Sequence, residues 1–247
     1  MPASEAAPGG ATTGRPRGSG WTGMLVAGLL GIAIGGGAVA LSSGYLVRRA
    51  LLENPELIPE AMTRLREREA ADIVGRNRAA FETPFAGAWA GAADADVVLV
   101  EFFDYACPYC HKSNADVERL LREDPKLKVV WRDLPVLGVD SELAAVASLA
   151  AAQAGRYREF YDTLFASGRP TPGALARAQR AAGLTPEAVA AMRASETARQ
   201  ELGKNHALAQ AIGASGTPTF VVGNQVLQGA VGYGPLKEAI AAARAEA

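Results

Sequence analysis

Two cysteines carry the most specific chemical signal in this 247-residue chain. They are Cys107 and Cys110, the chain has no others, and only Pro108 and Tyr109 separate them. A disulfide between such close neighbours closes almost no loop, so it would add little stability. The spacing instead favours a reactive pair that alternates between dithiol and disulfide. With His111 next in the chain, the same motif also fits c-type haem attachment or a copper or zinc site, although structural zinc requires four ligands.

The elements around the motif favour the redox interpretation. Val97–Phe103 is a run of β-branched, aliphatic and aromatic residues, which is typical of a buried central strand. Residues 113–122 have helical spacing, and residues 127–131 predict a second strand, so together they predict a parallel βαβ unit. Cys107 then lies at a helix N-terminus, where free N–H groups and the helix dipole stabilise a thiolate.

This placement predicts a role for each polar residue near the cysteines. Pro108 suits the first helical turn, because its missing N–H costs nothing there. Cys107 is predicted to be the nucleophile and Cys110, one turn on, the shielded resolving thiol. Glu101 stands among apolar strand residues, so we expect it to be partly buried with a raised pKa. We interpret it as a proton acceptor for Cys110; the alternative is a strand-edge glutamate that reaches water.

A second signal lies near the C-terminus, at Thr217-Pro218. It opens a predicted strand at Thr219–Val222, which pairs with 225–227 as a hairpin. Proline can begin a strand but removes a backbone donor. A cis bond at this position would place the loop beside another element. Together with the strand, cysteine motif and helix, the signal is strong.

The N-terminal third predicts export and attachment to a membrane. Residues 1–20 are rich in small and polar residues and predict a disordered tail. Residues 21–47 carry no charge and would span about 40 Å as a helix, more than the bilayer core of about 30 Å. They predict a transmembrane signal anchor, or alternatively a signal peptide cleaved after Ala40. Residues 48–82 predict a charged helical stalk that is either solvated or oligomeric, and residues 83–95 predict a linker.

The remaining composition predicts a helical region and excludes one class of partner. Residues 141–214 are alanine-rich with helical spacing, and residues 235–245 predict a closing helix. Lys and Arg number 25 against 26 Asp and Glu, a net charge of −1. We therefore expect no nucleic-acid binding.

At this point the sequence resembles the thioredoxin superfamily, and within it the DsbA-like branch. Residues 101–110 resemble the strand and active site of that branch, and residues 216–220 resemble its cis-proline loop. Residues 141–214 resemble the helical insertion that separates it from plain thioredoxin. The resemblance covers residues 96–247 and implies a thioredoxin-like α/β fold with a helical insertion, here preceded by a membrane-spanning helix and a helical stalk.

The resemblance also implies a set of site residues. The predicted catalytic residues, with a redox-active Cys107–Cys110 disulfide, are Cys107, Cys110, Glu101 and Pro218. The residues predicted to contact substrate are Thr217, Pro108, Tyr109 and His111. We expect no cofactor and no bound metal.

The segment at 52–61 resembles the N-terminus of ScsC-type proteins, which supports trimers in that group. The implied function is periplasmic formation or isomerisation of disulfides in exported client proteins with cysteines, together with a membrane redox partner. The resemblance at 52–61 further implies a possible homotrimer, and the uncharged stretch at 21–47 predicts an anchor in the inner membrane. Thr217 is similar to isomerase members, whereas Tyr109 stands where the strongest oxidants have His. The alternative is a copper-binding protein for metal tolerance that uses the same cysteines, since ScsC-like proteins have a link to copper tolerance.

Overall fold

The computed structural model describes residues 45–246. Its strands are β1 Trp89–Gly91, β2 Val97–Phe103, β3 Leu127–Asp133, β4 Thr219–Val222 and β5 Gln225–Gln228. Its helices are α1, of which residues 45–53 are described, α2 Leu57–Arg76, α3 Arg78–Glu82, α4 Pro108–Glu123, α5 Val139–Gln153, α6 Tyr157–Ala166, α7 Pro172–Ala181, α8 Pro186–Ala194, α9 Glu196–Ala211 and α10 Tyr233–Ala245.

The chain divides into two compact units, with the boundary after Ala61. The described part of the first unit, residues 45–61, contains α1 and the start of α2. Its exposed large apolar side chains are Tyr45, Leu46, Val47, Leu51, Leu52, Leu57 and Ile58. Within residues 45–246, no helix is both long and apolar enough to cross a membrane. The anchor predicted at 21–47 lies outside the described residues except for its last three, and the tail predicted at 1–20 lies wholly outside them.

The second unit is built on a five-stranded sheet in the order β1-β3-β2-β4-β5. β2 and β3 are parallel, with Val97 opposite Leu127 and Glu101 opposite Trp131. β4 pairs antiparallel with β2, and β5 with β4. The predicted parallel βαβ unit and the C-terminal hairpin are therefore confirmed, and β2 has the predicted bounds because its seven residues are almost all buried.

Both faces of the sheet are covered, so alternate residues of β2 enter different cores. Leu99 and Phe103 pack in the core that includes residues of α4, α6 and α10. Val100 and Phe102 pack in the core that includes residues of α2, α3 and α9. This two-sided burial explains why β2 is a continuous apolar run rather than an alternating one.

Two predicted segments before the sheet differ from the structure. The C-terminal part of the predicted stalk at 48–82 is packed rather than solvated, since Val74 and Phe81 are buried. The ring of Phe81 meets Phe102 edge-on at 6.2 Å between centroids. The predicted linker at 83–95 contains strand β1, which pairs antiparallel with β3. A three-residue strand beside glycines gives too short a pattern to be read from sequence.

Five helices, α5 to α9, lie between β3 and β4. The first begins at Val139, slightly before the predicted start of the helical region at 141, because Gly138 turns the chain there with a φ of 108°. The predicted start at Thr185-Pro186 is observed, with the Thr185 hydroxyl accepting a hydrogen bond from the Ala188 N–H at 3.2 Å. The region thus forms a helical layer inserted into the sheet topology.

Candidate active site

The cysteine motif lies where β2 ends and α4 begins. Cys107 is the N-cap residue of α4 and Pro108 is its first helical residue. The Cys107 N–H donates to the Asp104 carbonyl at 3.0 Å, and the Cys107 carbonyl accepts from the His111 N–H at 3.2 Å. The first N–H groups of a helix have no intrahelical acceptor and favour negative charge at the N-cap. The backbone therefore places Cys107 at the N-terminal end of the α4 dipole.

Both cysteines are free thiols, and they differ in access to solvent. Cys107 retains 4 % of its surface exposed, whereas Cys110 has 0 %. Burial raises the pKa of Cys110 well above the ordinary range of a thiol, and the nearby negative charge of Glu101 raises it further. Cys110 is therefore held as the neutral thiol and needs a proton acceptor before it can react.

The turn before the motif is held by the side chain of Asp104. Asp104 is buried, and its Oδ1 accepts a hydrogen bond from the Ala106 N–H at 2.8 Å. Its Oδ2 accepts from the N–H groups of Val136 at 2.9 Å and Leu137 at 3.1 Å. One carboxylate thus ties the turn before Cys107 to the loop after β3. A short polar residue just before a cysteine motif is the only signal in the sequence, and it does not reveal the second loop.

The predicted proline loop lies against the nucleophile. The Thr217–Pro218 peptide bond is cis, Pro218 is buried and Thr217 is half-buried. The Thr217 carbonyl oxygen lies 3.2 Å from Cys107 Sγ, which donates a hydrogen bond to it. The hydroxyl of Thr219 donates to the Gly216 carbonyl at 2.8 Å. Residues far apart in the chain, Cys107 and Thr217, are therefore in direct contact.

Glu101 has no exposed surface, which excludes the strand-edge alternative. Burial raises its pKa to about 8, the Trp131 indole N–H lowers it, and the charge of Glu118 raises it. The indole donates to Glu101 Oε2 at 3.1 Å, whereas Oε1 has no hydrogen-bond partner among the described residues. The site thus contains a carboxyl group that can hold or release a proton near neutral pH, on the same sheet face as Cys110.

The two other predicted contact residues of α4 differ in exposure. Tyr109 is 63 % exposed beside the cysteines. His111 is half-buried; its Nε2 is 2.8 Å from the Tyr105 carbonyl oxygen, and its ring centroid is 4.8 Å from that of Phe165. One ring nitrogen of His111 is therefore engaged with the backbone. Within residues 45–246, no cluster of three or more His, Cys, Asp or Glu side chains could hold a metal ion.

Comparison with protein families gives two matches. Residues 98–241 match the model for the DSBA-like thioredoxin domain. Residues 44–72 match the model for the copper resistance protein ScsC N-terminal domain.

Among curated proteins, the first relatives are much longer than the region they share with this chain. The Na(+)/H(+) antiporter NhaA 3 of Salinispora tropica is 31 % identical over 160 residues, which is 64 % of this chain and 24 % of the antiporter. The NhaA 1 antiporter of Salinispora arenicola is matched over 12 % of its length. The disulfide bond formation protein D of Bacillus subtilis is 29 % identical over 164 residues, 61 % of this chain and 73 % of that protein.

Three solved structures of bacterial proteins are similar in fold to this chain. A thioredoxin-like oxidoreductase from Silicibacter pomeroyi has a TM-score of 0.65 and 38 % identity, over 69 % of this chain and 99 % of that one. A periplasmic thioredoxin-like protein from Salmonella enterica serovar Typhimurium gives 0.61 and 27 %, over 68 % and 95 %. A linker-deletion variant of Proteus mirabilis ScsC gives 0.69 and 25 %, over 85 % and 97 %.

Proposed function

We propose that this chain, which belongs to the DSBA-like thioredoxin family of thiol–disulfide oxidoreductases, forms or isomerises disulfides in exported client proteins through Cys107 and Cys110. The observation that carries the proposal is the contact between Cys107 Sγ and the Thr217 carbonyl oxygen. The contact places the Cys107 sulfur, at the N-terminus of α4, beside the backbone of the Thr217 loop. The buried thiol of Cys110 lies one helical turn away. A client bound there would exchange its sulfur at Cys107.

In the oxidising direction, a client thiolate attacks Cys107 Sγ of the Cys107–Cys110 disulfide. The sulfur–sulfur bond breaks, its electron pair stays on Cys110, and a mixed disulfide forms between the client and Cys107. A second client thiolate then attacks the client sulfur and releases Cys107 as a thiolate. The client loses two electrons, which the motif passes to a membrane redox partner, and its two thiol protons go to solvent when the thiols ionise before each attack. In isomerisation, the reduced Cys107 instead attacks a client disulfide, and no net electrons move.

Glu101 supplies the proton that the exchange reaction requires at the buried Cys110 thiol. When the disulfide opens, Cys110 leaves as a thiolate in a site that disfavours charge. With its pKa raised to about 8, Glu101 is largely protonated at neutral pH and can donate. When Cys110 later attacks a mixed disulfide, the Glu101 carboxylate accepts its proton. The same carboxyl group thus donates a proton to Cys110 when the disulfide opens and accepts one when Cys110 attacks. The pH determines whether Glu101 is protonated or ionised.

The location and partners follow by analogy with relatives. One similar structure is that of a periplasmic protein, and the resemblance of the sequence implies the same compartment. We propose an anchor at 21–47 in the inner membrane and a homotrimer formed through the N-terminal helices. The support for the trimer is the match of residues 44–72 to the ScsC N-terminal model and the exposed apolar side chains of α1.

Copper binding is a second candidate, favoured by that same match to a copper resistance protein. Cys107 and Cys110 would supply soft sulfur ligands of the kind that Cu(I) prefers. His111 would have to leave the Tyr105 carbonyl before its Nε2 could join them. The redox function needs no such rearrangement, which makes it the first choice.

The test uses Cys107→Ser and Cys110→Ser in the full-length protein. We expect Cys107→Ser to abolish both the oxidation of a reduced client and the refolding of a scrambled one. We expect Cys110→Ser to accumulate client mixed disulfides that reductant releases, because the resolving thiol is gone. Full exchange activity in Cys107→Ser would show that the mechanism is wrong. Copper measured in the same reduced samples separates the second candidate, which requires stoichiometric metal that both variants lose.

A further inference from the structure

We propose that Trp131 is a positioning residue for Glu101: its indole N–H fixes the carboxyl group and sets the pH range in which Glu101 exchanges a proton. The inference rests on the proposed role of Glu101 in thiol–disulfide exchange. It concerns a residue that bonds the carboxyl group and acts on the reaction through that group.

The strand register places the two side chains together. Glu101 of β2 is directly opposite Trp131 of β3, and both project to the sheet face that carries the cysteines. The indole Nε1 donates to Glu101 Oε2 at 3.1 Å. Glu101 Oε1 has no partner in the described part of the chain. One carboxyl oxygen is thus occupied, which leaves the other as the atom that can give or take a proton.

The indole cannot turn away, because aromatic rings and a cation pack against it. The ring centroids of Tyr157 and Tyr161 lie 5.6 Å and 4.6 Å from that of Trp131. The guanidinium carbon of Arg158 lies 5.0 Å from the Trp131 ring centroid. Arg158 is itself held by Glu118 at 2.9 Å and Asp162 at 2.8 Å. Trp131 is therefore a rigid donor rather than a mobile core residue.

The other groups that face Glu101 do not stabilise its ionised form, so the Trp131 N–H has a large influence on its pKa. Two groups of α4 face Glu101. The charge of Glu118 opposes ionisation of Glu101, and Cys110 is the thiol with which Glu101 exchanges a proton. From α6, the Tyr161 hydroxyl is kept neutral by burial and by the Glu101 charge, and Arg158 bonds outward to Glu118. From β4, the residue opposite Glu101 is the apolar Phe220.

Among these neighbours in the described chain, only the indole N–H bonds the carboxyl group. A hydrogen bond to the charged form favours it, so the indole lowers the pKa that burial raises to about 8. Loss of the donor should keep Glu101 protonated to higher pH. It should also free the carboxyl group to rotate, so that Oε1 is no longer the defined acceptor.

The experiment compares tryptophan with an isostere. Trp131 is replaced in the full-length protein by benzothienylalanine, which keeps the ring size but has sulfur in place of the N–H; Trp131→Phe is the genetic counterpart. The Glu101 carboxyl group is followed by carbon-13 NMR in the reduced protein as the pH is raised. We expect its titration midpoint to rise by about one pH unit, the size of effect given by loss of one hydrogen bond to a charged group.

Two controls separate this effect from damage to the core. Trp89→Phe removes a half-buried indole on β1, where it packs with Lys128, and should leave the midpoint unchanged. In client oxidation, the isostere should move the pH–rate profile to higher pH, and the same replacement in a Glu101→Gln background should not move it. A role in packing alone would lower stability without either shift.

An unchanged Glu101 midpoint in the folded isostere variant would overturn the inference. If the midpoint rises but wild-type protein neither oxidises nor isomerises clients, the proposed function fails while the control of Glu101 by Trp131 stands. The two conclusions are thus separable, since NMR titration reads the carboxyl group without any client.

Discussion

At the scale of single residues, the site depends on a buried carboxyl group whose ionisation is linked to stability. Glu101 is fully buried, and burial raises its pKa to about 8 from the 4.5 of an ordinary glutamate. In that interval the folded protein retains a proton that the unfolded chain has released. The free energy of unfolding therefore falls as pH rises from about 4.5 to about 8, because the folded state binds the additional proton.

We predict that Glu101→Gln removes this pH dependence. The stability of the variant relative to wild type should increase across that interval, by at most about 5 kcal/mol, since each pKa unit is worth about 1.4 kcal/mol. Denaturant unfolding of the reduced proteins between pH 4 and pH 9 measures the difference. Parallel stability curves for the two proteins would contradict the raised pKa of Glu101. Glu123→Gln is the matched control, since the pKa of that exposed carboxyl is lowered by Tyr233 and Arg119.

At the scale of elements, the turn before α4 and the loop after β3 form one structure through Asp104. Its carboxylate accepts three backbone hydrogen bonds, from Ala106, Val136 and Leu137. The loop also starts with the Leu134 N–H donating to the Phe103 carbonyl at 2.8 Å. The carboxyl ends of the two parallel strands are thereby joined next to Cys107.

We predict that Asp104→Ala destabilises the reduced protein by about 2–4 kcal/mol, because three N–H groups lose a charged acceptor. It should also slow exchange at Cys107, because the turn that positions this residue loses the side-chain bonds to Ala106 and Val136. Chemical denaturation and the rate of thiol alkylation measure the two effects. Asp94→Ala, which breaks an exposed ion pair with Lys126, serves as the control and should change neither. Equal stability of both variants would refute the role of Asp104.

Most elements near the site could be predicted from sequence because their patterns are long and local. The seven-residue, mostly buried strand β2 and the Thr185-Pro186 helix start are examples. The contacts of Asp104 and Trp131 could not, because their partners lie about thirty residues away and are selected by strand register. The packing of Phe81 was missed for a similar reason: a charged helix does not reveal which of its few apolar residues meets the sheet.

At the scale of the whole molecule, the predicted thioredoxin-like α/β fold is confirmed, and its helical insertion lies between β3 and β4. Within the second unit, Arg132 joins the sheet to α9 and to the segment around α3, on the face opposite the cysteines. This buried side chain donates to the carbonyls of Ala80, Phe81 and Thr83 and to Asn205. In the described part of the first unit, in contrast, the large apolar side chains are exposed to solvent.

We predict that this exposed surface mediates self-association. A Leu51→Glu and Leu52→Glu double variant should reduce the solution mass from trimer to monomer, because charges would replace apolar contacts between copies. Light scattering on the full-length protein measures the mass. Leu137→Glu, at an exposed apolar position in the second unit, should leave the mass unchanged. A wild-type protein that is already monomeric would refute the trimer.

The two-sided burial of β2 also limits how this sequence can change over time. Its odd-numbered positions serve the face of the cysteines and its even-numbered positions serve the face of Arg132. Insertion or deletion of one residue between Val97 and Glu101 would exchange the faces and turn the carboxyl group away from Trp131. Substitutions can accumulate in this strand, but changes in its length cannot. Relatives that retain the activity should therefore show gaps in the loops and helices and none within β2.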